Sequence, residues 1–189
     1  MKKILFLLIP FIAAALATHA QTVNYGIKGG LNLSNNTTNF SHYFPSFYAG
    51  GFTEFKLNKH WAIQPEVLFS RSGETHKFNN GYELKDRKNY ISVPLMAKYY
   101  IIPKLYVEAG PQLDVLLSSK MESPTEKIDT KDGYKRLSLS AGAGIGYKLP
   151  YGLGVSARYM FGVSPISRSG GIYNSNAQIG LNYTIPGKK

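Results

Sequence analysis

Cysteine is absent from this chain. That excludes disulfides and thiolate metal sites, and also an acylated N-terminal anchor, which needs a Cys to carry the lipid. Acidic residues are scarce, 11 against 22 Lys and Arg. Beyond residue 20 no apolar run approaches the roughly 20 residues of a membrane helix, and no long stretch shows a helical period. Any membrane span in the mature chain must therefore be built from strands. The abundant residues suit that: 19 Gly, 14 Tyr and 10 Phe make a turn-rich β composition, and 189 residues suffice for one domain.

The N-terminus is not part of that domain. MKK is a basic start, ILFLLIPFIAAALA an apolar stretch, and Thr18-His19-Ala20 a small-residue cleavage site. Together they predict a secretory signal peptide over residues 1–20, read by the Sec pathway, with a barrel domain over residues 21–189. Without Lys2 and Lys3 the mature chain keeps 20 basic and 11 acidic residues, a net charge of +9. An exported protein rarely meets nucleic acid. The basic excess points instead to anionic lipid or lipopolysaccharide phosphate, or simply to solubility.

LSLSAGAGIGYKL (Leu137–Leu149) alternates Leu, Leu, Ala, Ala, Ile, Tyr, Leu with Ser, Ser, Gly, Gly, Gly, Lys. Period-two alternation means a strand with two unlike faces. Seven further segments repeat it: Val23–Leu33, Phe47–Leu57, Trp61–Ser70, Tyr90–Ile101, Leu105–Leu117, Leu153–Val163 and Asn176–Ile185. They run about 10 to 13 residues, longer than the ~5–6 of ordinary strands and close to the 9–11 of a tilted membrane strand. Asn58-Lys59-His60, Ile102-Pro103-Lys104 and Pro150-Tyr151-Gly152 read as tight turns. Residues 34–46, 71–89, 118–136 and 164–175 read as long polar loops. Short turns at one end and long loops at the other predict an all-β fold: an eight-stranded antiparallel up-and-down transmembrane β-barrel in the outer membrane.

Alternation leaves the facing open. A soluble ligand-carrying barrel puts its apolar face inside; a membrane barrel inverts it. Three features favour inversion and a polar lumen filled by side chains. The polar phase is small, with Gly26, Gly30, Gly50, Gly110, Gly142, Gly144, Gly146, Gly154, Gly162 and Gly180 in it, as a narrow eight-stranded interior requires. Apolar-phase aromatics gather at strand ends: Tyr25, Phe55, Trp61, Tyr99, Tyr147 and Tyr183 near the short turns, Phe47, Phe69 and Phe161 near the loops. That predicts two membrane-interface belts. The polar phase also carries both signs, Lys28, Lys56, Lys98, Lys148 and Arg158 with Glu54, Glu66, Glu108 and Asp114. Inside a lumen these form a charge network, since an unpaired buried charge is costly. Folding about Pro103 sets Lys98 opposite Glu108, and that ion pair is expected. Pro65, Pro94 and Pro111 inside strands predict bulges or weakly paired spots.

GIKGGLNLS (Gly26–Ser34), AIQPEVLFSRSG (Ala62–Gly73), YISVPLMAKYYI (Tyr90–Ile101), LYVEAGPQL (Leu105–Leu113), GAGIGYKL (Gly142–Leu149) and ARYMFGVSPI (Ala157–Ile166) resemble the PorT-like outer-membrane β-barrel family of the Bacteroidota. The resemblance covers the whole mature chain. It implies a small eight-stranded barrel, and some members of that family assist the type IX secretion system.

No chemistry is prominent. His42, His60 and His76 lack metal-ligand spacing. His42 with Ser41 or Ser46, and His76 with Ser72 and Glu74, loosely imitate a lipid A-modifying enzyme, but both sets fall in the expected loops. GAGIG lacks the Lys-Ser/Thr and helix of a phosphate loop. Loop 118–136 mixes Lys120, Lys127, Lys131, Lys135 and Arg136 with Glu122, Glu126, Asp129 and Asp132. It suits a solvated outer loop or a Ca²⁺-bridged contact to lipopolysaccharide. The expectation is a non-enzymatic barrel without cofactor or metal. Its partners are outer-membrane lipid, lipopolysaccharide and a protein met through loops or periplasmic turns.

Overall fold

The computed structural model describes residues 22–36, 42–77, 83–122, 127–168 and 171–185. The signal-peptide stretch and Ser41 lie outside them, as do the side chains of His42, Glu74 and His76. Among the described residues nine strands follow in order: β1 (Thr22–Asn36), β2 (His42–Lys56), β3 (Trp61–Lys77), β4 (Glu83–Ile102), β5 (Leu105–Glu122), β6 (Lys127–Asp129), β7 (Leu137–Lys148), β8 (Leu153–Gly162) and β9 (Asn174–Ile185). Every pairing is antiparallel. Sequence neighbours pair, β7 follows β5 around the ring, and β9 returns to β1. The result is a closed eight-stranded barrel. Short β6 only folds back onto β5. Closure removes every free edge that an open sheet would expose. Among the described residues no helix is long and apolar enough to cross a membrane.

The tight turns lie where the sequence placed them. At Asn58 the side-chain Oδ1 accepts from the backbone N–H groups of His60 and Trp61, both at 2.8 Å. At the β7–β8 turn Tyr151 and Gly152 take positive φ, 60° and 81°. The loops differ from expectation. Strand pairing runs well into residues 34–46, 71–89 and 118–136, with Ser34 through Asn36 paired to β9 and Arg71 through Lys77 paired to β4. Hydrogen bonding continues past the lipid-facing band, where polar residues on both faces erase the alternation that marks a strand. His42 and His76 accordingly lie in β2 and β3, not in loops.

Facing follows the inverted pattern. Ile27, Leu31, Val67, Ile179 and Leu181 stand on the outer surface, while Lys28, Glu54, Glu66, Glu108 and Arg158 are buried. This excludes the soluble carrier with an apolar interior. The small face has a steric cause. A Cβ on Gly26 would lie 2.2 Å from the Phe52 ring, and one on Gly146 2.2 Å from the Tyr106 ring. Large rings from neighbouring strands fill the lumen over those glycines. The prolines interrupt pairing without displacing it. The β2–β3 ladder skips from Phe52↔Glu66 to Phe55↔Ile63 beside Pro65. The β4–β5 ladder skips from Pro94↔Gln112 to Ala97↔Ala109 beside Pro111, and the register is unchanged across both gaps. Proline has no N–H to give to the ladder. The register shifts fall elsewhere, between Tyr43 and Tyr48, between Asn89 and Tyr90 and between Tyr100 and Ile102.

Candidate functional site

Among the described residues the lumen gathers most of the buried charged side chains. Arg158 of β8 lies at its centre. Its Nε donates to Glu108 Oε1 of β5 at 2.8 Å, and its two terminal nitrogens donate to Glu66 of β3 at 3.2 and 2.8 Å. Strand β8 pairs with β7 and β9: the guanidinium reaches Glu108 over Gly144 of the intervening β7 and Glu66 across the barrel. Lys28 of β1 donates to both Glu66 oxygens at 3.2 and 3.3 Å, and Gln64 Nε2 donates to Glu66 at 2.7 Å. Towards the short-turn end a second carboxylate, Glu54 of β2, accepts from Lys148 at 3.0 Å, Lys98 at 3.4 Å and the Tyr100 hydroxyl at 2.6 Å. Lys98 Nζ also sits 4.2 Å from the Tyr106 ring centroid, close enough for a cation–π contact.

This arrangement revises four of the sequence expectations. Lys98 and Glu108 are cross-strand partners in the expected register, yet Lys98 pairs with Glu54 and Glu108 pairs with Arg158. In each pair the two strands flank a third, and the side chains meet over its small residues, Ala62 of β3 or Gly144 of β7. Asp114 is buried among hydroxyl and amide donors, not cations: Ser92, Gln112 and Ser140 donate to it. Lys56 is half-buried, with its ammonium 5.8 Å from the Tyr100 ring centroid. Phe55 keeps the outward phase, between Val23 and Ile63 in register, but is only 6 % exposed, so it is no open belt residue. Tyr25, Trp61, Tyr99, Tyr147 and Tyr183 are exposed at the short-turn end, and Phe47 and Phe161 at the other. Phe69 is half-buried, with its ring 5.9 Å from that of Phe47. Gln64, Tyr100 and Phe52 were not singled out from the sequence. Their signal is phase: each shares the inward parity of its strand's charged residues.

A second closure lies at the long-loop end. Tyr134 bridges to Ser167. Lys135 N–H donates to the Ile166 carbonyl at 2.7 Å, and Arg168 N–H to the Gly133 carbonyl at 3.1 Å. The Tyr134 hydroxyl donates to Asp86 at 3.0 Å, and Lys88, paired with Asp86, lies 4.4 Å from the Tyr134 ring centroid. Burial pushes the Tyr134 phenol above its usual range; Lys88 opposes the shift and Asp86 adds to it. The β5–β7 and β8–β9 connections are thus tied together and anchored on β4. Loop 118–136 is in part a hairpin, with Lys120 opposite Asp129. Among the described residues no group of His, Asp or Glu could hold a metal ion.

A family model described as an outer membrane protein beta-barrel domain matches residues 19–168. Solved structures share the fold at low identity. Ail, the attachment invasion locus protein of Yersinia pestis, is similar at 16% identity and a TM-score of 0.54, covering 87% of this chain and 100% of that one. Its backbone structure in a phospholipid bilayer nanodisc aligns at 15% identity and a TM-score of 0.51, over 86% and 99% of the two chains. Neisserial surface protein A is similar at 9% identity and a TM-score of 0.55, over 88% and 99%. Comparison with curated proteins gives no match.

Proposed function

Since the chain belongs to the family of outer membrane protein beta-barrel domains, we propose that it is a non-enzymatic integral outer-membrane protein. Its barrel anchors, and its loops or periplasmic turns hold a partner. The observation that carries this reading is the plug made by Arg158 bridging Glu66 and Glu108 across the lumen. Eight-stranded barrels are only wide enough for side chains to fill, whereas aqueous channels need about 16 strands. Glu54, Glu66 and Glu108 are engaged by lumen cations and Asp114 by Ser92, Gln112 and Ser140, rather than presented to a substrate, which supports a role without catalysis. A finer reading, a PorT-like accessory to protein secretion, draws on the resemblance of the strand segments; unimpaired export in a strain lacking the chain would end it. The plug is tested in planar lipid bilayers. The purified protein is expected to give no stable, large conductance step. Reproducible large steps at neutral pH would overturn the plugged lumen.

A further inference from the structure

The short-turn rim differs in charge from the opposite end. At the long-loop end cations such as Arg87, Lys88, Lys120, Lys131, Arg136 and Arg168 are in excess but interspersed with Asp86, Asp129 and Asp132. At the short-turn rim the described cations are Lys56, Lys59, Lys104 and Lys148, and the nearest carboxylate, Glu54, is buried and ion-paired. The sequence adds Lys188 and Lys189 beyond the described residues. A rim of one sign next to a membrane surface attracts anionic headgroups.

One part of that rim is shaped. A shallow groove of ≈ 440 Å³ is lined by Asn58, Lys59, His60, Trp61 and Tyr99. Its walls are fixed. The Trp61 and Tyr99 rings are 5.0 Å apart, and His60 stacks on Tyr99 at 5.9 Å. His60 Nδ1 donates to the Tyr100 carbonyl at 3.1 Å, and Asn58 Oδ1 locks the turn. The groove therefore has an aromatic wall at the level of the belt and an exposed ammonium at its turn side. Lys104, also exposed, lies on the turn joining the neighbouring β4 and β5.

We infer that this groove is a binding site for one anionic phospholipid of the periplasmic leaflet. The phosphodiester lies against Lys59, with Lys104 adding to the field, and the upper acyl chain runs along Trp61 and Tyr99. Aromatic rings favour the headgroup level, and lysines near a membrane surface attract anionic lipid. The proposal rests on the membrane-spanning reading above.

Trp61 is the only tryptophan in the chain, so its fluorescence reports on this groove alone. The mature protein is folded into vesicles of phosphatidylcholine and phosphatidylglycerol at fixed composition. Bromine is placed on the acyl chains of one lipid, then of the other. The expected result is stronger quenching by brominated phosphatidylglycerol, equivalent to an enrichment of about fivefold next to Trp61. In the double variant Lys59→Gln/Lys104→Gln the two labels should quench equally. Equal quenching in the native chain, or enrichment unchanged in the double variant, would overturn the site. Absence of quenching by either label would instead overturn the membrane-spanning reading and the site with it.

Discussion

Replacing Arg158 with Met is expected to destabilise the folded barrel by about 3–5 kcal/mol, the cost of breaking a buried pair from one side. Glu66 keeps Lys28 and Gln64 after the change. Glu108 does not keep its partner: Arg158 is the residue that donates to it, at 2.8 Å. A carboxylate 3 % exposed is then left in a confined interior, where it must take up a proton or draw in water. Methionine fills a similar volume, so a cavity contributes little. Urea unfolding in lipid vesicles reads the effect as a fall in midpoint of roughly 2 M, taking a slope of about 2 kcal/mol/M. The double variant Glu108→Gln/Arg158→Met removes the stranded charge and should recover at least half of the loss. Non-additivity of that size is the signature of direct coupling. If the single and double variants unfold together at the native midpoint, the plug contributes nothing to stability.

The second large effect is on the outer wall. Ile179 is paired with Ala157. Four residues along β9 lies Tyr183 of one belt, and four residues along β8 lies Phe161 of the other. Ile179 is thus midway between them and is 60 % exposed. An arginine there should cost roughly 2–4 kcal/mol, the penalty for a cation on the lipid face near the bilayer midplane. Tyr151, 93 % exposed in the β7–β8 turn, is the control, and Tyr151→Arg should change the stability by no more than about 0.5 kcal/mol. In a barrel surrounded by water the penalty would vanish, because replacing an exposed Ile by Arg on a soluble surface is close to neutral. Equal midpoints for the two variants would mean that the outer face does not meet lipid.

The contrast between those two sites also explains what could be read from the sequence. Strand phase was legible because each strand has two chemically unlike faces, and the glycines of one face declared which side was crowded. Gly146 beneath Tyr106 is an instance. The β4–β5 register was legible to within one residue from the tight turn at Pro103: Lys98 does lie opposite Glu108, past a one-residue shift between Tyr100 and Ile102. The ion partners were not legible. Arg158 and Glu66 are 92 positions apart on strands that do not touch, and only closure of the barrel brings them together. The outer strand extensions were missed for another reason. From Ser34 to Asn36 and from Arg71 to Lys77 both faces are polar, so no alternation marks the pairing that the backbone nonetheless makes. Asp114 has the inward phase of the charged residues, but its donors are its ladder partner Ser92, its same-face neighbour Gln112 and the diagonal Ser140, so register rather than residue type marks its surroundings.

The central claim is that this chain crosses a membrane as a closed barrel with its apolar face outward. It is tested most directly by the electrophoretic mobility of the protein from isolated outer membranes, with and without boiling in SDS. A closed, fully hydrogen-bonded barrel should resist the detergent, run as a compact band when unheated, and shift to its full apparent mass only after boiling. Recovery in the soluble periplasmic fraction, with a single mobility before and after heating, would contradict the account.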